Sequence, residues 1–208
     1  MRGRLITLEG GEGAGKSTAL GFIAERIRAR GHDLVQVREP GGTEVGEAIR
    51  RLLLDPQHKA LCGETELLLM FASRAQLVRE IVQPALSRGA MVLSDRFTDA
   101  SFAYQGGGRG IERGRIAELE RWACGIKPDL SILLDLPVEQ GLARARGRGP
   151  SDRIEHEATD FFERVRAAYR ARAATEPERW RLIDASQAID QVLADLGEVI
   201  DQWLDGQA

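Results

Sequence analysis

The segment GGEGAGKST, residues 10–18, constrains the fold more than any other part of the chain. It fits the pattern G-x-x-x-x-G-K-[ST], with Gly10 and Gly15 at the two glycine positions and Lys16 and Ser17 at its end. An apolar run precedes it at residues 5–8, and an amphipathic helical pattern follows it. This order of strand, glycine-rich turn and helix is typical of a loop that surrounds phosphate groups, and a glycine turn without a ligand is the less favoured interpretation.

The residue types of the motif explain its chemistry. Glycines let successive backbone N–H groups point at phosphate oxygens, and the helix N-terminus adds partial positive charge. We expect Lys16 to contact the β- and γ-phosphates and Ser17 to offer its hydroxyl to Mg²⁺. The chain has no asparagine, which disfavours a GTP switch and leaves an ATP-dependent kinase or an ATPase. The residues predicted to bind ATP are Gly10, Gly11, Glu12, Gly13, Ala14, Gly15, Lys16, Ser17 and Thr18.

Short apolar runs alternate with longer helical patterns along the whole chain. The runs cover residues 5–8, 34–37, 91–94, 130–134 and 181–183. Runs of this length, separated by more than a helix, predict a parallel sheet with crossover helices and therefore an α/β fold. Helices are expected after the glycine loop, ending near Gly31, and over residues 64–87 and 189–204.

Length and charge limit the remaining possibilities. With 208 residues, the chain is expected to form a single domain, 1–208. Its net charge of −3 gives no general attraction to nucleic acid, so an anion site must be local. Cys62 and Cys124 lack the spacing of a zinc site. No apolar run reaches the length of a signal peptide or a membrane span, and we expect a cytoplasmic protein without a membrane partner.

Two pairs of residues indicate an acceptor site. Asp95 and Arg96 follow the third apolar run, at the sheet edge where ligands bind in open α/β folds. Asp95 could hold Mg²⁺ or its water and Arg96 could bind a phosphate, although a surface ion pair is the alternative. Phe71 and Arg74 are three residues apart on a predicted helix, which suits a planar base, whereas Phe71 alone would more often be a core residue.

Five segments carry a resemblance to a known family: EGGEGAGKST, REPGGTEVGEAIR, LLLMFASRAQLV, SDRFTDASFAYQGGGRGI and RARGRGPSDRIE. In order and spacing they resemble bacterial thymidylate kinases, from Leu5 to about Trp203. The resemblance implies transfer of the γ-phosphate of ATP to dTMP, giving dTDP and ADP for dTTP synthesis. It also implies Mg²⁺, a homodimer, and a three-layer P-loop kinase fold in which helices surround a five-stranded parallel sheet.

The resemblance implies a role for each matching residue. Phe71 would stack on thymine, Arg74 would bind its O4, and Ser101 would contact the base edge. Tyr104 would lie against the sugar C2′, where a ribose hydroxyl would clash, and Glu12 would face the 3′-hydroxyl. The implied substrate-binding residues are Glu12, Glu39, Pro40, Arg50, Phe71, Arg74, Arg96, Ser101, Tyr104 and Gln105, with Ser17 and Asp95 at the metal.

An arginine-rich segment at residues 144–155 is predicted to form a lid between two helices. Positions 11–14 contain no basic residue, so the resemblance implies that the lid supplies a catalytic arginine, as in the bacterial type with a basic lid. Lid closure would exclude water from the transferred phosphoryl group. The candidates are Arg144, Arg146, Arg148 and Arg153; we expect Arg148 or Arg153 to act beside Lys16, Asp95 and Arg96. A solvated face is the alternative for such a run.

Two other functions remain open. One is another P-loop kinase, such as a deoxynucleoside or uridylate kinase. A nucleoside kinase needs a carboxylate to activate a hydroxyl, whereas Arg96 and Arg50 favour an acceptor that already carries a phosphate. The other is an ATP-dependent switch that transfers no phosphate, in which case the acceptor-side residues would have no purpose.

Overall fold

A five-stranded parallel sheet forms the centre of the protein. The computed structural model describes residues 2–147 and 152–206. The strands are β1 Leu5–Gly10, β2 Leu34–Arg38, β3 Met91–Asp95, β4 Leu130–Asp135 and β5 Trp180–Asp184, in the order β2-β3-β1-β4-β5. All four strand pairs are parallel. Each predicted apolar run lies within one strand, which confirms the α/β prediction.

Helices connect the strands. They are α1 Lys16–Ala29, α2 Glu44–Leu54, α3 Gly63–Leu77, α4 Gln83–Ser87, α5 Thr98–Ser101, α6 Arg113–Leu119, α7 Val138–Arg146, α8 Thr159–Thr175 and α9 Ile189–Asp205. Three π-helical segments, Val78–Val82, Phe102–Gly108 and Glu120–Cys124, follow α3, α5 and α6. The predicted helix over residues 64–87 is confirmed as a helical stretch, but its segment Val78–Val82, between α3 and α4, is π-helical. No helix in the described part of the chain is long and apolar enough to span a membrane.

Buried side chains fill both faces of the sheet, which gives the predicted three layers. All six residues of β1 are buried. Ile6 and Leu8 belong to one buried cluster with Ile23 of α1, while Leu5 belongs to a second buried cluster with Leu77 of α3. This follows from the two-residue period of a strand. Burying one such aliphatic side chain contributes about 1.5–3 kcal/mol, so the central strand stabilises both layers together.

The strand order places the glycine-rich loop of residues 10–18, called the phosphate loop below, beside the end of β3. The chain runs from β1 to β2 on one side of the sheet, and β4 then lies on the other side of β1. In open α/β sheets such a reversal leaves a crevice outside the carboxyl ends of the strands. Leu8 of β1 lies opposite Asp95 of β3, and the backbone N–H of Arg96 donates to the Leu8 carbonyl over 3.0 Å. Residues 10–17 and residues 95–96 therefore meet at one edge.

The first residues of the predicted lid segment are helical. Arg144 and Arg146 lie in the last turn of α7, and Gly147 ends that helix. Helix geometry continues there because Leu142 to Arg146 contains neither glycine nor proline. Arg148 lies outside the described residues. Residues 152–158 return to α8 through turns.

Two glycines let the phosphate loop approach α7. A Cβ at Gly13, whose φ is +71°, would stand 2.0 Å from the carbonyl oxygen of Gly141. A Cβ at Gly141 would stand 2.4 Å from the carbonyl oxygen of Glu12. Both distances are shorter than nonbonded atoms allow, so the loop and α7 depend on each other for their positions.

A matched pair of Gly→Ala variants tests this contact. We expect Gly141→Ala to lower the free energy of unfolding by about 1–3 kcal/mol, because the new methyl displaces the phosphate loop. Gly21 lies exposed within α1 with open space at its Cβ position. Gly21→Ala should stabilise the protein by up to about 1 kcal/mol, since alanine is the better helix former. Urea unfolding of both variants is the measurement; equal stabilities would show that the loop and α7 do not depend on this close approach.

Candidate active site

A cavity of about 390 Å³ opens at the carboxyl edge of β1, β2 and β3. This volume is within the range of small-molecule sites. The structure brings together most of the predicted site residues around it: Glu12, Gly13, Ala14, Gly15, Lys16, Ser17, Glu39, Pro40, Arg50, Arg74, Asp95, Arg96, Ser101, Tyr104 and Gln105. Residues from the phosphate loop and from the acceptor side thus share one space.

Lys16 lies against the phosphate loop. Its Nζ donates to the carbonyl oxygens of Gly10, at 3.2 Å, and Gly11, at 2.9 Å. Burial, together with the nearby Arg96, lowers the pKa of Lys16 to about 8. Thr18 is exposed on α1, outside the cavity wall. The loop therefore surrounds the Lys16 ammonium group. A bound phosphate could replace the two loop carbonyls as its hydrogen-bond acceptor.

Ser17 and Asp95 have the chemistry of a magnesium site. Both line the cavity. The Oδ1 atom of Asp95 is buried and has no hydrogen-bond partner among the described residues. An unpartnered buried carboxylate oxygen is unfavourable unless a cation or a water satisfies it, and Mg²⁺ prefers oxygen ligands. These residues therefore fit the predicted metal.

Arg96 is held between a carboxylate and two tyrosines. Its Nη2 donates to Oε1 of Glu12 over 2.8 Å, and its Nη1 donates to the Tyr169 hydroxyl over 3.3 Å. The Tyr104 hydroxyl donates to the same Glu12 oxygen over 2.9 Å, and the guanidinium lies 4.7 Å from the centre of the Tyr104 ring. The predicted phosphate, 3′-hydroxyl and sugar residues thus form one connected group.

Arg74 is fixed by three contacts. Its Nε donates to Oε2 of Glu39 over 2.5 Å, Nη1 to the Ser101 hydroxyl over 3.0 Å, and Nη2 to the Phe97 carbonyl over 3.1 Å. Burial raises the pKa of Glu39, and the charge of Arg74 opposes that rise. Nη1 and Nη2 each carry a second hydrogen. Arg74 can therefore keep these partners and still donate to a ligand in the cavity.

Phe71 does not line the cavity, which contradicts its predicted role. It is 2% exposed and lies in the core with Leu5 and Val78. The Arg74 guanidinium covers its ring, 4.6 Å from the ring centre. Met70, four residues before Arg74, lines the cavity instead. Residues at i and i+4 also lie on the same face of a helix, so spacing alone made Met70 an equal candidate beside Phe71.

Arg50 and Arg38 add positive charge to the cavity wall. Nη1 of Arg50 donates to the Pro40 carbonyl over 2.7 Å, and burial lowers the Arg50 pKa, as does the charge of Arg38. Arg38, which the sequence analysis missed, is the last residue of β2 and lies opposite Asp95. Its position at the end of a predicted strand was the available signal. The cavity is locally basic in a chain whose net charge is −3.

Arg153 lies outside the cavity wall. It is buried, with Nε donating to the Leu53 carbonyl over 2.8 Å and Nη2 donating to Oε2 of Glu66 over 2.5 Å. Glu66 also accepts bonds from Gln105 and Arg109. These contacts correct the predicted position of Arg153, because they hold its side chain against Leu53 and Glu66 and outside the cavity wall.

A phosphate loop at the centre of a 2-3-1-4-5 parallel sheet, opening on an arginine-lined cavity, defines a P-loop nucleotide kinase. A family model described as thymidylate kinase matches residues 8–196. Thymidylate kinase of Ectopseudomonas mendocina (strain ymp) is 53% identical over 99% of this chain and 98% of its own length. Thymidylate kinase of Pseudomonas entomophila (strain L48) is 55% identical over 99% and 97%. The crystal structure of thymidylate kinase from Ehrlichia chaffeensis matches with a TM-score of 0.78 and 29% identity, covering 97% of this chain and 99% of that one.

The chain therefore belongs to the thymidylate kinase family, the enzymes that phosphorylate dTMP. The match extends over the full length of these relatives, and the strand order agrees with the predicted P-loop kinase fold.

Proposed function

We propose that the cavity binds dTMP and that the enzyme transfers the γ-phosphate of ATP to it, giving dTDP and ADP for dTTP synthesis. The position of Arg96 carries the proposal: its guanidinium is fixed beside the phosphate loop, in a cavity that Arg38 and Arg50 also line. Arginine binds phosphate through two parallel hydrogen bonds. This arrangement favours an acceptor that already carries a phosphate.

The remaining wall residues suit a deoxynucleoside. Arg74 and Ser101 offer polar groups for a base edge beside the apolar side chain of Met70. Tyr104, fixed through its hydroxyl on Glu12, would lie against C2′ and exclude a ribose hydroxyl. Glu12 would accept from the 3′-hydroxyl. Glu39, Pro40 and Gln105 complete the wall.

On the donor side, the phosphates of ATP would lie along residues 10–18, with Lys16 at the β- and γ-phosphates. Ser17 and Asp95 would hold Mg²⁺, which neutralises phosphate charge when bound. Cytoplasmic localisation is part of the same proposal, because ATP and dTMP are cytoplasmic metabolites.

The transfer itself needs no side-chain nucleophile. An oxygen of the dTMP phosphate attacks the γ-phosphorus in line and forms a new P–O bond, while the bond between the γ-phosphorus and the departing ADP oxygen breaks. The phosphoryl group is thereby transferred from ATP to dTMP. Lys16 and Arg96 stabilise the charge on the phosphoryl group. Arg148 is proposed as the lid arginine in this step, since Arg153 is engaged by Glu66.

An acceptor panel tests the function. We expect ATP and Mg²⁺ to give dTDP from dTMP and no product from thymidine, and chelation by EDTA to stop the reaction. The reaction of dUMP should be slower but measurable, because one methyl contact contributes about 1–3 kcal/mol. UMP should be poorer still. Products resolved by ³¹P NMR are the measurement; ADP formed equally without acceptor, or phosphorylated thymidine, would contradict the proposal.

Two arginine substitutions, one in the cavity and one on the surface, test the role of Arg96 in this reaction. Arg96→Gln should lower kcat/KM for dTMP by about 10²–10³-fold. Arg115 is an arginine of α6 with a 70% exposed side chain, and Arg115→Gln should leave kcat/KM unchanged.

A second variant pair tests the corrected base contact. Met70→Ala should raise the KM for dTMP by about tenfold, because the base loses an apolar neighbour. Phe71→Leu should lower the free energy of unfolding by about 0.5–3 kcal/mol and change this KM much less, because Phe71 is a core residue. Steady-state kinetics and thermal unfolding of both variants are the measurements. The reverse pattern would restore Phe71 as the base-stacking residue.

We also propose a homodimer. Leu68 of α3 is 58% exposed and Trp122 of the adjacent Glu120–Cys124 segment is 85% exposed, although both are large apolar side chains. A second copy of the chain would remove them from water. Sedimentation velocity should show a dimer for the wild type and a lighter species for Trp122→Glu. A monomeric wild type at micromolar concentration would contradict this proposal.

A further inference from the structure

Arg96 has an unusual backbone. Its φ is +68°, and it is the one non-glycine residue with a positive φ in the described ranges. This conformation is strained for a residue that carries a Cβ, and it persists only where the surrounding structure holds it. Contacts do hold it: its N–H donates to the Leu8 carbonyl, and its own carbonyl accepts from the Ser94 hydroxyl over 2.6 Å. These contacts fix the backbone of Arg96 and the direction in which its side chain leaves it. They do not fix the position of the guanidinium.

Tyr169 contacts the guanidinium from a distant element. It lies on α8, is 1% exposed, and its hydroxyl oxygen accepts the N–H of Arg96 Nη1 over 3.3 Å. The same hydroxyl donates its proton to Oε2 of Glu9 over 2.8 Å. A hydroxyl has one proton, so this bond to Glu9 leaves the oxygen lone pairs for Arg96.

Glu9 links the two sides of this contact. Its Oε1 accepts from the backbone N–H of Phe97, the residue after Arg96, over 2.9 Å. Burial and the neighbouring Asp99 raise the pKa of Glu9 to about 8, and the hydrogen bonds from Tyr169 and Phe97 oppose this rise. One buried carboxyl group of β1 therefore orients both the backbone beside Arg96 and the hydroxyl that meets its side chain.

We propose that Tyr169 is a positioning residue that keeps the Arg96 guanidinium where the acceptor phosphate binds. The hydrogen bond from the Tyr169 hydroxyl to Glu9 orients this hydroxyl for the contact. Glu12 holds Nη2 and Tyr169 holds Nη1, so the guanidinium is fixed at two points. Without the Tyr169 contact, it could pivot about Glu12. The inference rests on the proposed function, since it assumes that Arg96 binds the dTMP phosphate.

Tyr169→Phe tests the proposal because it removes the hydroxyl and keeps the ring. We expect the dissociation constant for dTMP to rise by about tenfold, as for loss of a hydrogen bond to a charged group. Thymidine has no phosphate for the Arg96 guanidinium to bind, so its dissociation constant should change less than about twofold. Competition calorimetry with both ligands is the measurement. In the Arg96→Gln background, Tyr169→Phe should add no further loss, because the partner that it positions is gone.

Phe162→Leu is the matched control. Phe162 is a buried aromatic residue of the same helix. Loss of its ring should lower the melting temperature without a selective effect on dTMP.

Two outcomes would overturn the inference alone: equal weakening of dTMP and thymidine by Tyr169→Phe, or unchanged dTMP affinity in Tyr169→Phe while Arg96→Gln loses it. A third outcome, unchanged dTMP affinity in Arg96→Gln itself, would overturn the proposed phosphate site together with the inference.

Discussion

Pairing between the ends of β1 and β3 is the constraint on which the rest of the site depends. The hydrogen bond from the Arg96 N–H to the Leu8 carbonyl joins the start of the phosphate loop to the end of β3. Because β1 lies between β3 and β4, the loop opens at the point where the strand order reverses. A donor phosphate on the loop and an acceptor phosphate at Arg96 would then be neighbours without any movement of the sheet. The close approach of Gly13 to Gly141 fixes the other side of the loop.

The site collects positive charge in an acidic protein by giving each cation a defined acceptor. Lys16 rests on two loop carbonyls, Arg74 on Glu39, and Arg96 on Glu12. Buried charges are unfavourable without such partners, and a guanidinium held in place loses less entropy when a ligand arrives. The cavity is therefore organised for an anion in advance. The same logic applies to Arg153, whose buried charge is paired with Glu66 outside the cavity wall.

Sequence reasoning predicted the fold and most of the cavity wall, because both follow from local patterns. The apolar runs marked the five strands, and the glycine motif and Asp95-Arg96 marked the two strand ends that face each other. Phe71 was misassigned because a three-residue and a four-residue spacing both place residues near Arg74, and only packing shows that Met70 faces the cavity. The contacts of Arg153 and Tyr169 could not be predicted from the sequence for a different reason. Their partners, Glu66 and Glu9, lie 87 and 160 residues away along the chain, and no local pattern reports such contacts.

A crystal structure of the dTMP complex tests most directly whether the acceptor phosphate binds at the junction of β1 and β3. We expect phosphate oxygens at about 3 Å from the Arg96 guanidinium, with the positive φ of Arg96 and its bond to Glu12 retained. The base should lie beside Met70 and Arg74. A phosphate bound elsewhere in the cavity, or an Arg96 side chain turned away from it, would contradict the claim that the junction of β1 and β3 organises the acceptor site.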